Sequence, residues 1–182
     1  MKNPWTKLSS EVIYDNPWIK LTEFQVLSPG GVPGIYGTAH FKNLAVGVVP
    51  LEGDMVWMVG QYRFPLDEYS WEIVEGGCPQ GESPLETAKR EMLEETGLRA
   101  EKYEKLLEMH LSNSVSDEWA IIYLATGLTE GEAEPEHSED LQVKKMKFDD
   151  LFAAVEAGEI KDSMTVAAVY KMRILQLEGK LF

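Results

Sequence analysis

The chain has 182 residues, 31 acidic against 17 basic, and a formal net charge of −14. Length and composition fit one globular domain with a small appendage. The charge excludes nucleic acid as a natural partner unless cations reverse its sign locally. No apolar run is long enough to span a bilayer and no leader-like segment opens the chain, so a soluble cytoplasmic protein with no membrane partner is expected. The single cysteine, Cys78, excludes an internal disulfide and a thiolate metal site.

The N-terminal part reads as β. The stretch EVIYDNPWIKLTEFQVL holds two strand-like runs broken at Asn16-Pro17, and the cluster from Pro29 to Gly34 is a turn. A strand returns at IYGTAHFKN. LAVGVVPL is a continuous apolar run suited to a strand buried on both faces, and DMVWMVGQYRF follows through a turn at Glu52–Asp54. The glycine-rich stretch EGGCPQGE reads as a loop that lets backbone approach a site closely.

A helix follows, with Ser83 as N-cap, Pro84 in the first position, Glu86 completing a capping box, and Gly97 as a left-handed terminator. Leu85, Ala88 and Met92 form its apolar stripe. Further strands are expected at YEKLLEMHL, EWAIIYLATGL and LQVKKMKF, with an acidic loop, TEGEAEPEHSED, before the last. Two helices close the chain, at DDLFAAVEAG and DSMTVAAVYKMRILQLEG. This order predicts an α+β domain with helices covering a mixed sheet.

The first helix carries Arg90, Glu91, Glu94 and Glu95 on the side opposite its stripe. Like charges three and four apart cost about 0.2–0.5 kcal/mol per pair. Negative charge in the last turn opposes the helix dipole by about 0.3–1 kcal/mol per exposed group. Arg90 offsets part of this through Glu94. A solvated acidic face leaves the crowding unexplained. A hard divalent cation turns the repulsion into coordination, because Mg²⁺ takes carboxylates, substrate phosphates and water as ligands.

The stretch Gly76, Glu82, Arg90-Glu91, Met92, Glu94-Glu95, Gly97, Leu98 matches residue for residue the signature of the Nudix hydrolases. The resemblance implies an α/β/α sandwich with a mixed sheet and hydrolysis of a nucleoside diphosphate linked to another moiety, dependent on Mg²⁺ or Mn²⁺. By motif position Glu91 and Glu95 are the main metal ligands and Glu94 an additional one. Arg90 holds the glutamates, Glu82 is structural or a distant participant, and the backbone carbonyl of Glu75 is a further ligand. Such chemistry needs charge stabilisation and an activated water, not a covalent nucleophile. Cys78 has no neighbouring base implied and is read as inert.

The flanks resemble the branch that cleaves ADP-ribose and other nucleoside diphosphate sugars. QYRFPLDEYSWEIVEGG implies that Arg63 grips a diphosphate oxygen, as a guanidinium fork suits phosphate, against the alternative of a surface ion pair. Glu72 touches the terminal sugar or is simply buried near the sheet edge. NPWIKLTEFQVLSPGGVPGIY resembles the branch's N-terminal hairpin, which implies that Trp18 and Tyr36 sandwich the base, against the alternative of plain packing. Trp5 and Tyr14 stay unassigned. In that branch the hairpin crosses to a second subunit, so a homodimer with shared sites is expected. Residues 1–43 would be this extension and residues 44–182 the hydrolase domain. EPEHSEDLQV resembles the branch's late acidic loop and points to Glu139 as catalytic base, with Glu136 and Asp140 as alternatives and His137 as a proton carrier.

One departure stands out. The branch carries a proline in the loop after the motif, where this chain has Ser112-Asn113-Ser114. That implies a nucleoside diphosphate sugar preference broader than, or different from, ADP-ribose alone. Two other readings stay open at this point: hydrolysis of another substrate class, dinucleoside polyphosphates or RNA caps, and a nucleotide-binding module without turnover.

Overall fold

The computed structural model describes residues 1–131 and 140–182. Ten strands and three helices run in the order β1 (Thr6–Asp15), β2 (Ile19–Leu27), β3 (Pro33–Phe41), β4 (Leu44–Glu52), β5 (Met55–Arg63), β6 (Glu68–Glu72), β7 (Val74–Cys78), α1 (Pro84–Thr96), β8 (Leu98–His110), β9 (Trp119–Glu130), β10 (Gln142–Lys147), α2 (Phe148–Glu156) and α3 (Ser163–Leu177). No helix is long and apolar enough to cross a membrane among the described residues.

The larger sheet has the order β10-β5-β4-β9-β8, with β6 added on β5 and β7 on β4. Only β4 and β9 run parallel; the other pairs are antiparallel, so the sheet is mixed. The central strand β4 shows why LAVGVVPL reads as continuously apolar. It is buried from Val46 to Leu51 because helices cover both faces of the sheet. On one face Ala88 and Met92 of α1 pack with Val46, Val48 and Val74. On the other, Phe148, Leu151, Met164 and Met172 of α2 and α3 pack with Val49, Met58 and Ile122. This is the α/β/α sandwich expected.

The caps of α1 follow local rules. Ser83 Oγ accepts from the Glu86 amide at 3.2 Å, and Gly97 adopts φ 71°, where a side chain would strain, so its amide reaches Leu93 O at 2.8 Å. The reciprocal half of the capping box is replaced: the Glu86 carboxylate takes Lys89 instead, at 2.8 Å.

The expected loop EGGCPQGE is partly strand. Gly76 and Gly77 lie in β7, facing Val46 and Ala45 of β4. Strand β6 was not foreseen, and β8 starts directly after the helix at Leu98, well ahead of the expected YEKLLEMHL. Glycine and charge mask these strands, because sheet pairing supplied by neighbours overrides local propensity.

The N-terminal strands form a separate three-stranded sheet in the order β1-β2-β3. The segment between β8 and β9 ties it to the rest. The Ala39 amide donates to Val115 O at 2.8 Å, the Tyr36 hydroxyl to Ser114 O at 2.7 Å, and the Phe41 amide to Asp117 Oδ1 at 3.1 Å, while His40 Nδ1 lies 2.6 Å from Asp117 Oδ2. The pairing with His40 and the Phe41 amide overcomes partial burial and holds the Asp117 carboxyl below its ordinary range.

Candidate active site

The motif residues meet where α1 crosses β7. Arg90 is the hub. Its Nε and Nη2 donate to Glu82 at 3.2 and 3.1 Å, and its Nη1 lies 2.8 Å from Glu91 and 2.9 Å from Glu94. Glu82 also accepts from Thr87 Oγ1 at 2.8 Å. The bonds to Arg90, then to Thr87, hold the Glu82 carboxyl below its ordinary range, and Glu82, with Glu91 and Glu94, raises the guanidinium further above its own.

The carboxylates are not one solvated face. Glu95 is buried at 5% exposure beside the apolar stripe, Glu91 is mostly covered, and Glu94 sits at the rim. The three carboxylates expected on one side of the helix thus differ in depth, with Glu95 the most covered and Glu94 the least. Among the described residues no three acidic, His or Cys side chains converge tightly enough to chelate an ion. Arg90 interposes its guanidinium between Glu91 and Glu94.

The place still fits a divalent cation. A Cβ on Gly76 would lie 2.0 Å from the Glu91 carboxyl carbon, so the glycine is the cradle in which that carboxylate rests. Next to it, Glu75 Oε1 is buried with no hydrogen-bond partner among the described residues. Burial, followed by the facing Asp162 carboxylate, pushes the Glu75 carboxyl well above its ordinary range. The donors are all oxygen and outnumber the one arginine among them, as a hard cation requires.

A cleft of about 440 Å³ opens beside this point, lined by Trp18, Arg63, Glu75, Gly76, Glu118 and Met164. A larger groove of about 820 Å³ lies between β8, β9 and the C-terminal tail, near Lys105, Lys180 and Phe182. It holds none of the motif residues, so chemistry and not size selects the cleft. Glu118 in the cleft escaped the sequence reading. Burial raises its carboxyl above the usual range; its only sequence signal is an acid one residue ahead of β9.

Arg63 reaches the cleft differently from the sequence expectation. Its Nε lies 3.0 Å from both oxygens of Glu72, and its Nη2 also bonds Glu72 and lies 3.6 Å from Glu75. Burial works against its charge, but Glu72 and Glu75 together raise its pKa. The guanidinium fork is therefore turned to a carboxylate. Glu72 is 3% exposed with both oxygens engaged, the buried alternative of the sequence reading.

Trp18 is 67% exposed and faces the cleft. Tyr36 does not join it. The Trp18 carbonyl takes the amide of Lys42, whereas Tyr36 pairs with Phe24. Their backbone positions therefore lie six residues apart in register with β3, about 20 Å at strand spacing. Tyr36 lines a different cleft with Phe24, Lys20 and His40, and Trp5 packs edge-on against it at 5.3 Å. Within one copy the two rings line different clefts. Glu139, Glu136 and His137 lie outside the described residues; Asp140 is exposed at the start of the approach to β10.

Comparisons with known proteins give the family. The family model described as NUDIX domain matches residues 41–167, and one described as nucleoside diphosphate sugar hydrolase N-terminal domain matches residues 5–38. An ADP-ribose pyrophosphatase of Mycobacterium tuberculosis is 34% identical over 168 residues, covering 89% of this chain and 80% of its own. A methanol dehydrogenase activator of Bacillus methanolicus is 30% identical over 176 residues, covering 96% and 94%. A crystal structure described as an ADP compounds hydrolase superposes with a TM-score of 0.86 over 97% of each chain at 22% identity, which establishes the shared fold. With the family signature intact on α1 and the family model spanning most of its length, the chain belongs to the NUDIX domain family.

Proposed function

We infer that the protein is a pyrophosphohydrolase that splits nucleoside diphosphate sugars, ADP-ribose among them, into a nucleoside monophosphate and a sugar phosphate. The observation that carries this is the Glu91 carboxylate seated on Gly76 beside buried Glu95, with Arg90 holding Glu82 and Glu94 around it. The match of residues 5–38 to the N-terminal domain of nucleoside diphosphate sugar hydrolases, and the names of the relatives, support the substrate class.

Hydrolases of this family generally use divalent metal ions. For this chain the ion is Mg²⁺ or Mn²⁺, held by Glu91, Glu95, Glu94 and the carbonyl of Glu75. A cation there offsets charge on the diphosphate and lowers the pKa of water. The chain's own groups do the rest. Arg90 keeps the carboxylates oriented, Arg63 donates to a phosphate oxygen, and Trp18 stacks on the base. Glu139 serves as base, from outside the described residues.

The distance between Trp18 and Tyr36 supports a homodimer, in which Tyr36 of a second copy closes the base site. Residues 1–43 then serve dimerisation and base binding, and residues 44–182 hydrolysis, in the cytoplasm. Nothing in Ser112–Ser114 replaces the branch's proline, so the range extends beyond ADP-ribose.

The test is a panel of nucleoside diphosphate sugars with varied base and sugar, with products identified. Cleavage between the two phosphates on several members is expected. Turnover confined to dinucleoside polyphosphates or capped RNA, or none at all, sinks the reading.

A further inference from the structure

We propose that Glu72 is a positioning residue: its buried carboxylate fixes the guanidinium plane of Arg63 and thereby presents Nη1 to a phosphate oxygen of the substrate. This rests on the reading of the cleft as a diphosphate site, and goes beyond both sequence alternatives for Glu72, contact with the terminal sugar and simple burial.

Four observations carry it. The antiparallel pairing of β5 with β6 sets Arg63 opposite Glu68 and Val59 opposite Glu72, so the arginine side chain folds back along β6 to reach a residue nine positions on. Both Glu72 oxygens accept from Arg63 Nε, and Nη2 closes the fork on the same carboxylate. The hydrogen bonds of Arg63 among the described residues thus run through Nε and Nη2, which leaves Nη1 as the donor for a ligand. Arg63 is 35% exposed and lines the cleft, while Glu72 is 3% exposed.

Both Glu72 oxygens are already taken up by the arginine. A buried ion pair is weak evidence for stability, because desolvation offsets most of the attraction. What a two-point pair does supply is orientation: a planar donor held at two points cannot rotate. The pair also converts the grip on phosphate. Instead of a fork on two oxygens, Arg63 offers one nitrogen of fixed direction, and Glu75 at 3.6 Å from Nη2 keeps that side closed to an anion.

Two substrates sharing one base decide the matter, a nucleoside diphosphate sugar and a nucleoside diphosphate carrying a plain alkyl ester. Steady-state constants are compared for wild type, Glu72→Gln, Arg63→Ala and the double variant, with thermal melts to confirm folding. We expect Glu72→Gln to lower kcat/KM by about tenfold to a hundredfold on both substrates, in the same kcat and KM proportions as Arg63→Ala, and to cost nothing further once Arg63 is alanine. Glu72→Asp, which keeps the charge but withdraws it, serves if the glutamine variant does not fold, with the same pattern at smaller size. A loss confined to the sugar substrate, or an undiminished loss in the Arg63→Ala background, overturns the proposal. If the wild type cleaves neither substrate, the functional reading itself fails and this inference with it.

Discussion

Helix α1 with strand β7 and the sheet β1-β2-β3 are both built from residues expected to touch substrate, yet they are built in opposite ways. The first is complete within one chain. Its carboxylates are tied to Arg90, seated on Gly76 and backed by Ala88 and Met92 in the core. The second is not. Every residue of β1 is exposed, with Leu8, Val12, Ile13 and Tyr14 each more than half open to solvent. A strand that long and apolar at a sheet edge is a surface awaiting cover. On the proposed reading, the metal-binding carboxylates need only one copy's packing, while recognition of the base draws on a second.

The first side of the comparison gives the largest expected effects. Glu95→Gln or Glu91→Gln should lower turnover by about 100- to 1000-fold, as loss of a preorganised charge does, with the melting temperature nearly kept; full activity in both variants would break the assignment. Gly76→Ala should cost about 100-fold and also lower the melting temperature, because a methyl there collides with the Glu91 carboxyl. An active, undisturbed alanine variant would show that the carboxylate is not held there.

The second side predicts smaller, shareable losses. Trp18→Ala and Tyr36→Ala should each raise KM by roughly 5- to 150-fold, the worth of one stacking contact. Dissociating and mixing the two variants should restore normal KM in part of the population, since a mixed dimer regains one site with both rings. No recovery would remove the shared site from the account.

The smallest effect sharpens the picture of the cradle. The folded pKa of Glu75 is raised, so its neutral form stabilises the fold below the ordinary carboxylate range, and that stability is lost as pH rises through the raised value. Glu75→Gln mimics the neutral form. In chelator it should raise the melting temperature at pH 8 by roughly 2–4 °C and leave it unchanged near pH 4. An equal gain at both pH values would contradict the burial and the Asp162 contact as its cause.

Much of this was legible in the chain because local rules govern it. Ser83, Pro84 and Gly97 bound α1 by capping chemistry, and the unbroken apolar run of β4 announces helices on both faces. What was hidden depends on register between distant residues. The burial of Glu95 follows from how α1 is rolled on the sheet, which spacing along the helix does not fix. The turn of Arg63 onto Glu72 needs the β5–β6 hairpin, and β6 carries too many polar residues to stand out. The wide separation of Trp18 from Tyr36 appears only once β2 and β3 are paired. Gly76 and Gly77 read as loop, although both pair with β4, and Gly76 is a glycine because the Glu91 carboxylate leaves no room for a side chain.

The most direct test follows ADP-ribose by phosphorus NMR in the presence of the protein and Mg²⁺, with chelator added midway. The account predicts that the diphosphate signals give way to AMP and a sugar phosphate, and that conversion stops on chelation. Persistence of the diphosphate, or conversion that continues unchanged in chelator, would contradict it.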